Sequence, residues 1–306
     1  MNASIHDILR NDSKRLEATL DLDSGSARIE VQCLLQAALK VDLAYLLTHA
    51  EQLLNDEQLS HYTALFERRL TGEPIAYLLA SREFYGLIFK VSPATLIPRP
   101  ETELLVELAV QRIPQPLSRS SRDKERPGEV MECERNEDVF RVLDLGTGSG
   151  AIALSIAHAR PDTEVVAVDA SEDALRVARE NARLLNIVNV LLLHSDWFSA
   201  LHCKRFDLIV SNPPYVAAND AHLSQGDLRF EPRSALASGA DGLDDIRHIC
   251  AQAKAHLNPG RWLMLEHGYN QAAQVRTLMQ QAGYSDVFSA KDLSGIERVS
   301  GGSFLP

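Results

Sequence analysis

The chain has few cysteines, no long apolar run and no excess of positive charge, and each lack argues against a class of protein. Its four cysteines, Cys33, Cys133, Cys203 and Cys250, are far apart in the chain and form no C-x-x-C pair. Neither a zinc site nor a disulfide framework is therefore indicated. We expect no bound metal, and thiols kept reduced in a cytoplasmic protein.

No apolar run approaches the roughly 18 residues of a membrane-spanning helix. Residues 1–15 lack the apolar core of a signal peptide. We therefore expect a cytoplasmic protein with no membrane partner. The formal net charge is −11, whereas proteins that bind nucleic acid usually present a basic face to the phosphates. The acidic balance argues against direct nucleic-acid binding.

The 306 residues, 45% of them hydrophobic, leave room for two packed domains. Residues 1–82 predict a small domain of short helices. One of these helices has Asp56 as its cap and ends at Gly72, with one apolar face. That face is formed by Leu59, Tyr62, Phe66 and Leu70. A small helical module ahead of a catalytic domain usually positions a partner or covers a site, and we expect this domain to recognise the substrate.

The rest of the chain predicts an α/β protein. Residues 83–98 read as strand, turn and strand, and predict a β-hairpin linker. From residue 99 to residue 306, helices and strands alternate, which favours a doubly wound, mostly parallel sheet. Within that domain, residues 114–138 are polar and charged, and predict a flexible segment.

A glycine-rich motif follows the first strand of this domain. The apolar strand at 141–145 runs into Gly146-Thr147-Gly148-Ser149-Gly150, and residues 151–157 then favour a helix. Glycines let the backbone approach a ligand closely, and the helix N-terminus attracts an anion. Asp169 ends the next strand roughly 20 residues on, where such units place an acceptor for ribose hydroxyls. The pattern predicts a nucleoside-containing cofactor.

The spacing of the glycines favours one cofactor over others. The motif is G-x-G-x-G rather than the G-x-G-x-x-G of pyrophosphate binders, so the cofactor need not carry a diphosphate. S-adenosylmethionine, with adenosine, ribose and a carboxylate, fits this pattern. A tight strand–helix turn without a ligand is the alternative at this point.

A second motif, Asn212-Pro213-Pro214-Tyr215, follows another apolar strand at 206–211. Asn212 offers a side-chain carbonyl to an NH2 group. Each proline fixes its own φ, and Pro213 also keeps Asn212 out of the helical region. The motif predicts a stiff turn with carbonyl acceptors and an aromatic face. An ordinary turn is the alternative, because Asn-Pro and Pro-Pro pairs are common turn residues.

The order of the strands decides whether the two motifs meet. If the order is 3-2-1-4-5, the strands that precede Gly146 and Asn212 are neighbours at the switch point, where ligands bind. Asp196 and Trp197 end the third strand. An acid can accept from the adenine amino group and an aromatic ring can cover its face, although Trp197 could also be a packing residue.

The chemistry follows from this arrangement. A sulfonium methyl needs a nucleophile in line about 3 Å away. We predict that the Asn212 side chain and the Pro213 carbonyl accept from the two N–H groups of an amide or exocyclic amine. Pro214 and Tyr215 complete the substrate site, with Tyr215 packed on the flat group, and Asn212, Pro213 and Tyr215 are the predicted catalytic residues. The motif contains no general base, so the proton leaves to water.

With both motifs placed, the chain closely resembles the HemK/PrmC family of protein glutamine methyltransferases. The resemblance covers nearly the whole chain, and its N-terminal part through Glu103 is more specific than the two motifs alone. Its segments are 69–78, 83–86, 96–103, 144–154, 211–215, 231–233, 237–243 and 266–269.

The resemblance implies a class I S-adenosylmethionine-dependent methyltransferase fold, a Rossmann-like doubly wound sheet with a small N-terminal helical domain. It implies methylation of the glutamine in the Gly-Gly-Gln motif of class I peptide chain release factors, with S-adenosylhomocysteine as the product, and we expect a monomer. By resemblance, residues 146–150, Asp169, Trp197 and Asn212 line the cofactor site, and residues 212–215 hold the glutamine.

Two segments depart from the family pattern: 114–138 is longer than expected, and 300–306 lacks the usual arginine. Three other functions stay open at this point. They are glutamine methylation of a ribosomal protein, adenine-amino methylation of nucleic acid, and a non-catalytic module that binds a dinucleotide.

Overall fold

A computed structural model describes residues 3–115 and 139–305. The segment at 114–138, predicted to be flexible, lies outside the described residues from residue 116 onward. The first range contains the N-terminal helices, a hairpin and one further helix, and the second range contains the main sheet.

The N-terminal region is helical because short polar residues cap its successive segments. Ser4, Asp23, Asp42 and Asn55 each accept a backbone N–H in the first turn of the helix that follows. The helices are α1 (Ile5–Leu20), α2 (Ser24–Leu39), α3 (Leu43–Thr48), α4 (Asp56–Leu70) and α5 (Ile75–Leu78). Their apolar faces enclose a core of their own.

The cap of α4 is Asn55, so the prediction that Asp56 caps this helix was wrong. The Asn55 side chain accepts from the Gln58 N–H at 2.9 Å, and the Gln58 side chain accepts from the Asn55 N–H at 3.1 Å. This reciprocal pair satisfies two donors at the helix end. Asp56 instead adds a negative charge to the first turn. The predicted apolar face of α4 is correct at its centre, where Tyr62 and Phe66 are buried.

The hairpin consists of β1 (Ser81–Phe84) and β2 (Leu87–Lys90), which pair in antiparallel register. Its first strand begins two residues before residue 83, where the sequence placed the start of the linker. Tyr85 and Gly86 form the turn with φ of 52° and 75°. A two-residue turn with both φ values positive follows the right-handed twist of the strands.

After a 3-10 turn at Pro100–Thr102, helices and strands alternate along the chain. They are α6 (Glu103–Arg112), β3 (Arg141–Leu145), α7 (Ala151–Ala159), β4 (Glu164–Asp169), α8 (Glu172–Leu184), β5 (Val190–His194), β6 (Phe206–Ser211), α9 (Asp244–His256), β7 (Leu257–Glu266), α10 (Ala272–Gln281), β8 (Ser285–Lys291) and β9 (Glu297–Phe304). Three short 3-10 turns, at Ala221–Ser224, Gly226–Phe230 and Arg233–Ala235, lie between β6 and α9.

Within residues 139–305, seven strands form one sheet in the order β5-β4-β3-β6-β7-β9-β8. The strands from β3 to β7 are parallel, and β9 pairs antiparallel with both β7 and β8. In order of appearance the parallel part is 3-2-1-4-5, the order on which the meeting of the two motifs depends. The stretch at 284–304, in which the sequence has room for two more strands, forms β8 and β9.

Helices cover both faces of the sheet, and this explains why its central strands are apolar throughout. Val142 and Val165 face a core cluster that includes residues of α6 and α7. Leu143 and Val166 face a second cluster that includes residues of α9 and α10. Parallel strands buried on both sides have this composition.

The strand β7 is longer than predicted. In the sequence, the Asn-Pro-Gly stretch at 258–260 predicts a break between a helix that ends at Leu257 and a strand that begins at Trp262. In the structure α9 ends at His256, and Leu257 already pairs with Phe206. The register shifts before Trp262 pairs with Leu208. Because Pro259 has no N–H, it is tolerated in a strand at such an irregularity.

The hairpin is attached to the sheet domain rather than extended between two domains. Phe84 and Phe89 are buried in the cluster that covers one face of the sheet. The Asn181 side chain of α8 accepts from the Lys90 N–H at 2.7 Å and donates to the Lys90 carbonyl at 2.9 Å. These contacts hold the segment after the hairpin near the carboxyl ends of β3 and β6.

Candidate active site

The glycine loop leaves β3 in a conformation that requires its glycines. Gly146, Gly148 and Gly150 have φ of 71°, 57° and 84°, and L-residues with a side chain rarely adopt this region. A Cβ at position 150 would lie 2.9 Å from Cδ1 of Leu154, so glycine there also lets α7 begin close to its neighbours. At its three glycines the loop therefore presents backbone without side chains at the N-terminus of α7.

Thr147, inside the loop, is held by a hydrogen bond to Asp144 in β3. Its hydroxyl donates to Oδ2 of Asp144 at 2.7 Å, and Asp144 is fully buried at the end of β3. Burial raises the pKa of Asp144 to about 7, and the hydrogen bond from Thr147 opposes part of the rise. Asp144 is not among the predicted site residues, although it lies in the motif that carries the family resemblance.

Asp169 lies beside the loop at the end of β4. Its Oδ2 accepts from the Gly148 N–H at 2.8 Å, and its Oδ1 accepts from the Ser171 N–H at 2.8 Å. Burial raises the pKa of Asp169, while these two backbone hydrogen bonds oppose the rise. Each carboxylate oxygen still has a second lone pair for a hydroxyl donor.

Trp197 follows β5 and is held in an unusual backbone conformation. Its φ is 48°, which costs a bulky residue about 1–3 kcal/mol. The Ser195 hydroxyl stabilises this turn, because it donates to the Trp197 carbonyl at 2.8 Å and accepts from the Ala200 N–H at 3.0 Å. The Trp197 ring lies 3.7 Å from the position that a Cβ of Gly146 would occupy. The exposed Asp196 precedes it.

The Asn-Pro-Pro-Tyr turn follows β6. Nδ2 of the half-buried Asn212 donates to Oγ1 of Thr102 at 3.2 Å. The Tyr215 hydroxyl donates to Oε1 of Glu266 at 3.3 Å, and the Tyr215 carbonyl accepts from Nε2 of Gln271 at 2.9 Å. Burial raises the pKa of Tyr215. Both ends of the turn are therefore fixed by side chains distant in sequence.

Both motifs border one cavity of about 560 Å³. Of the predicted site residues in the described part of the chain, those that line it are Gly146, Thr147, Gly148, Ser149, Asp169, Asp196, Trp197, Asn212 and Pro214. Gly150, Pro213 and Tyr215 are not among the lining residues. Gly150 begins α7, Pro213 is buried, and Tyr215 packs against the core cluster beside α9 and α10.

Part of the cavity wall comes from residues that sequence reasoning did not assign to the site. Three segments supply it: the stretch after the hairpin, the loop after the Asn-Pro-Pro-Tyr turn, and the start of α9. The residues are Pro93, Ala94, Thr95, Leu96, Pro98, Arg99, Thr102, Pro232, Ser234, Ala235 and Asp245. Some of these residues lie in segments that carry the family resemblance, and the resemblance could have indicated them as site residues. No local sequence pattern indicates that the three segments meet.

A buried ion pair joins two of these segments. Arg99 pairs with Glu231, whose side chain has no solvent exposure. Glu231 also accepts from the Ile97 N–H at 3.1 Å. Burial raises the pKa of Glu231, and the Arg99 guanidinium opposes that rise. A charge buried in this way is strongly destabilising without its partner. The pair between Arg99 and Glu231 therefore holds together the two segments that form the cavity wall beside Asn212.

Glu266, at the end of β7, is the most deeply buried acid near the turn, at 1% exposure. Burial raises the pKa of Glu266 to about 7, and hydrogen bonding from Thr102 and Tyr215 opposes the rise. Arg298 lowers this pKa and Glu101 raises it. Glu266 therefore lies between Tyr215 at one end of the turn and Thr102, which holds Asn212 at the other end.

Two absences characterise residues 3–115 and 139–305. Over these ranges, no three His, Cys, Asp or Glu side chains are grouped so that they could hold a metal ion. Over the same ranges, no helix combines the length and the apolar character that crossing a membrane requires.

Sequence comparison places the chain in a family. A profile described as the PrmC N-terminal domain matches residues 7–79, and one described as the methyltransferase small domain matches residues 130–231. A release factor glutamine methyltransferase from Salmonella typhimurium is 48% identical over 284 residues, which are 93% of this chain and 95% of that protein. The Burkholderia pseudomallei protein of the same name is 50% identical over 287 residues, 92% of each chain. The chain belongs to the release factor glutamine methyltransferase family.

Solved structures of lower identity support the fold assignment. A methyltransferase from Pyrococcus furiosus aligns with a TM-score of 0.50 at 20% identity, and the match covers 78% of this chain and 98% of that one. The human Mettl16 catalytic domain aligns with a TM-score of 0.53 at 15% identity, over 79% and 82% of the two chains. This family member therefore has the class I methyltransferase fold that the sequence predicted, with an added helical region.

Proposed function

We propose that this protein transfers a methyl group from S-adenosylmethionine to the side-chain amide nitrogen of the glutamine in the Gly-Gly-Gln motif of class I peptide chain release factors. The relatives that carry the corresponding name match more than nine-tenths of the chain. The observation that carries the proposal is that Asn212 and the glycine loop line one cavity. This arrangement supports a methyl donor bound at the glycine loop beside an acceptor held at Asn212.

The residues present fit S-adenosylmethionine. Asp169 has lone pairs left for ribose hydroxyls after its two backbone hydrogen bonds. Trp197 and Asp196 would hold the adenine ring and its amino group, and the loop at 146–150 has no side chains at its three glycines. The cavity volume of about 560 Å³ is in the range of small-molecule sites. The bound cofactor supplies an electrophilic methyl group on sulfur.

Asn212 and Pro213 hold the glutamine amide. Because Nδ2 of Asn212 already donates to Thr102, Oδ1 of Asn212 is the end that accepts from the substrate N–H. The Pro213 carbonyl accepts the second N–H. Both acceptors bind more strongly as positive charge develops on the nitrogen, so they favour the transition state over the ground state.

The remaining motif residues shape the site. Pro214 lines the cavity and Tyr215 supports the turn from the core side, where its hydroxyl contacts Glu266. The predicted packing of the Tyr215 ring on the substrate amide is part of this proposal. When the new N–C bond forms and the S–C bond breaks, the nitrogen gives up one proton. The motif supplies no base for it, so water takes the proton.

The helical domain at 1–82 selects the protein substrate in this proposal. Its Arg69 is buried and forms ion pairs with Glu30 at 2.7 Å and Asp227 at 3.5 Å. Arg229 also donates to the Thr71 carbonyl. The domain is thus attached to the loop that follows the Asn-Pro-Pro-Tyr turn and lines the cavity beside Asn212. A release factor bound to the helices would have its Gly-Gly-Gln loop near this wall.

The test is methyl transfer in vitro with the purified protein, isotope-labelled S-adenosylmethionine and a purified class I release factor. We expect label on the Gly-Gly-Gln glutamine, and none on a factor whose glutamine is replaced by alanine. No label on the intact factor would overturn the proposal. Ribosomal subunits and DNA run in parallel detect the two alternative methylation reactions, and calorimetry with NAD detects a dinucleotide-binding module.

We further propose that the protein is cytoplasmic, acts as a monomer on a translation factor, and needs no metal and no contact with nucleic acid. Transfer that persists in excess chelator and after nuclease treatment is expected. Dependence on added metal or on RNA would contradict this part of the proposal.

A further inference from the structure

An asparagine that holds a substrate amide has to present its oxygen and not its nitrogen. The two ends of the side-chain amide have nearly the same shape, so packing alone does not distinguish them. If Asn212 presented NH2 to the cavity, two sets of N–H donors would face each other. Something outside the motif therefore has to fix the orientation of the Asn212 amide.

Thr102 makes the contact that fixes it. Its Oγ1 accepts from Nδ2 of Asn212 at 3.2 Å, and Thr102 is only 4% exposed. A hydroxyl carries one proton, so an oxygen that is to accept from Asn212 has to direct that proton elsewhere. A neighbouring group that can only accept hydrogen bonds would keep the Thr102 hydroxyl proton pointed away from Asn212.

Glu266 is that neighbour. The Tyr215 hydroxyl donates to its Oε1 at 3.3 Å, and the Thr102 hydroxyl lies close enough to the carboxyl for hydrogen bonding from it to lower the pKa of Glu266. In the described residues Oε2 of Glu266 has no hydrogen-bond partner within normal geometry and no contact with solvent. An ionised carboxylate only accepts, so it turns both hydroxyl protons toward itself.

Two other charged residues, on elements packed near Glu266, influence its pKa. Arg298 on β9 favours the ionised form, and Glu101 in the 3-10 turn disfavours it. Neither makes a hydrogen bond to the Asn212 side chain in the described residues. The orientation of Asn212 therefore depends on the Thr102 hydroxyl and the Glu266 carboxylate.

We propose that Glu266 is a positioning residue that acts through Thr102 to make Asn212 present its side-chain oxygen to the methyl-accepting amide. The proposal rests on the proposed function. Glu266 touches neither substrate nor cofactor. It also holds the Tyr215 hydroxyl, so one carboxylate fixes both ends of the Asn-Pro-Pro-Tyr turn.

The variant Glu266→Gln tests the direction of the hydrogen bonds while it keeps the shape. A glutamine has one accepting oxygen and one donating NH2. If the oxygen of the introduced amide accepts from Tyr215, the NH2 of that amide donates to the Thr102 oxygen. The Thr102 hydroxyl proton then points toward Asn212. That proton repels the Asn212 NH2 and favours the flipped amide. We expect kcat to fall about 10- to 100-fold, with less than about a twofold change in cofactor affinity.

Two matched variants separate positioning from a merely structural role. Thr102→Ser keeps the hydroxyl and should keep most of kcat, whereas Thr102→Val keeps the shape, loses the hydroxyl and should lose activity as Glu266→Gln does. Glu107→Gln, an exposed change on α6, should leave kcat unchanged. The thermal midpoint of Glu266→Gln should equal or exceed that of the wild type at pH 8, because a buried charge is removed.

The assay is methylation of the purified release factor at saturating cofactor, with calorimetry of S-adenosylhomocysteine binding beside it. Loss of kcat in Glu266→Gln and Thr102→Val, with binding and folding retained, supports the proposal. Wild-type kcat in Glu266→Gln, or equal kcat in Thr102→Ser and Thr102→Val, overturns it. If the wild type itself methylates no Gly-Gly-Gln glutamine, the proposed function fails, which is a different result from either of these.

Discussion

The Ser211 hydroxyl donates a 2.7 Å hydrogen bond to the Leu145 carbonyl. Ser211 is the last residue of β6 and Leu145 is the last residue of β3, and their Cα atoms are paired in the sheet. The bond locks together the two strand ends from which the glycine loop and the Asn-Pro-Pro-Tyr turn emerge. The distance between the glycine loop and Asn212 therefore depends on the sheet itself.

Ser211→Ala should weaken this link. The Leu145 carbonyl would be left buried without the hydroxyl, which costs about 1–3 kcal/mol of unfolding free energy. Chemical denaturation followed by circular dichroism measures the loss. Ser294→Ala, an exposed change in the turn before β9, is the control and should alter stability by less than about 0.5 kcal/mol. Equal stability of the two variants would show that the bond contributes nothing.

Asn212→Ala should abolish most methyl transfer and leave cofactor binding only modestly weakened. The variant removes one acceptor of the substrate amide, and loss of a single such preorganised contact typically costs 100-fold or more, on the order of 3 kcal/mol. Single-turnover assays and calorimetry separate the two effects. Asn11→Ala, exposed on α1, should behave as the wild type. Full activity in Asn212→Ala would refute the assigned role.

Asp169→Asn should weaken cofactor binding by about 10- to 100-fold. One oxygen becomes an NH2 that faces the Gly148 or Ser171 N–H, so an anchoring bond is lost along with an acceptor for ribose. Isothermal titration with S-adenosylhomocysteine measures the change. Asp21→Asn is a suitable control, because Asp21 is exposed with φ of 55° and asparagine tolerates that conformation. Unchanged affinity in Asp169→Asn would contradict the site.

Arg69→Met should raise the KM for the release factor more than the Kd for the cofactor. The variant keeps an apolar stem but removes the pairs with Glu30 and Asp227 that attach the helical domain to the loop beside the cavity. Because Glu30 loses its buried partner, we also expect a stability loss of about 3–5 kcal/mol. Asp227→Asn removes only the loop side of this contact and should raise the same KM with little loss of stability. If neither variant alters this KM, the attachment has no part in substrate selection.

Activity at saturating cofactor should rise with pH through about 7. Burial raises the pKa of Glu266 from its usual 4.5 to about 7, and only the ionised carboxylate orients Thr102 as the inference requires. The substrate amide itself does not titrate there. A pH profile of kcat for the wild type should therefore have an acid limb that is absent from the profile of Glu266→Gln. A wild-type profile flat between about pH 6 and 8 would contradict this account.

The Glu266 carboxyl also makes the free energy of unfolding depend on pH, in the direction opposite to the pH dependence of activity. Its pKa is higher in the folded state than in the unfolded state, so the folded protein binds more protons between the two values. The contribution of Glu266 to the unfolding free energy therefore falls as pH rises from about 4.5 to about 7. Thermal unfolding across this range should show a weaker decline for Glu266→Gln than for the wild type, and identical declines would rule out the shift.

Much of the fold was predictable because its signals are local. The strands that lead into Gly146 and Asn212, and the strand that ends at Asp169, are short apolar runs next to turn residues. The capping error at Asn55 arose because two adjacent polar residues both suit a cap, and the reciprocal bond with Gln58 decides between them. The early start of β7 was hidden by Pro259, a residue that usually ends a strand.

The rest of the site could not be predicted, because it depends on contacts between distant segments. Thr102 and Asn212 are 110 residues apart in the chain, and Tyr215 and Glu266 are 51 residues apart. No local pattern indicates either contact. A buried glutamate at a strand end looks like any other acid in the sequence until the packing around it is known.

The most direct test of the central claim is mass spectrometry of the Gly-Gly-Gln peptide from a purified release factor after incubation with this protein and S-adenosylmethionine. We predict the mass of one added methyl group, with fragments that place it on the glutamine side chain, for the wild type and for Asn11→Ala but not for Asn212→Ala. An unmodified peptide after incubation with the wild type, or a methyl group on another residue, would contradict the account.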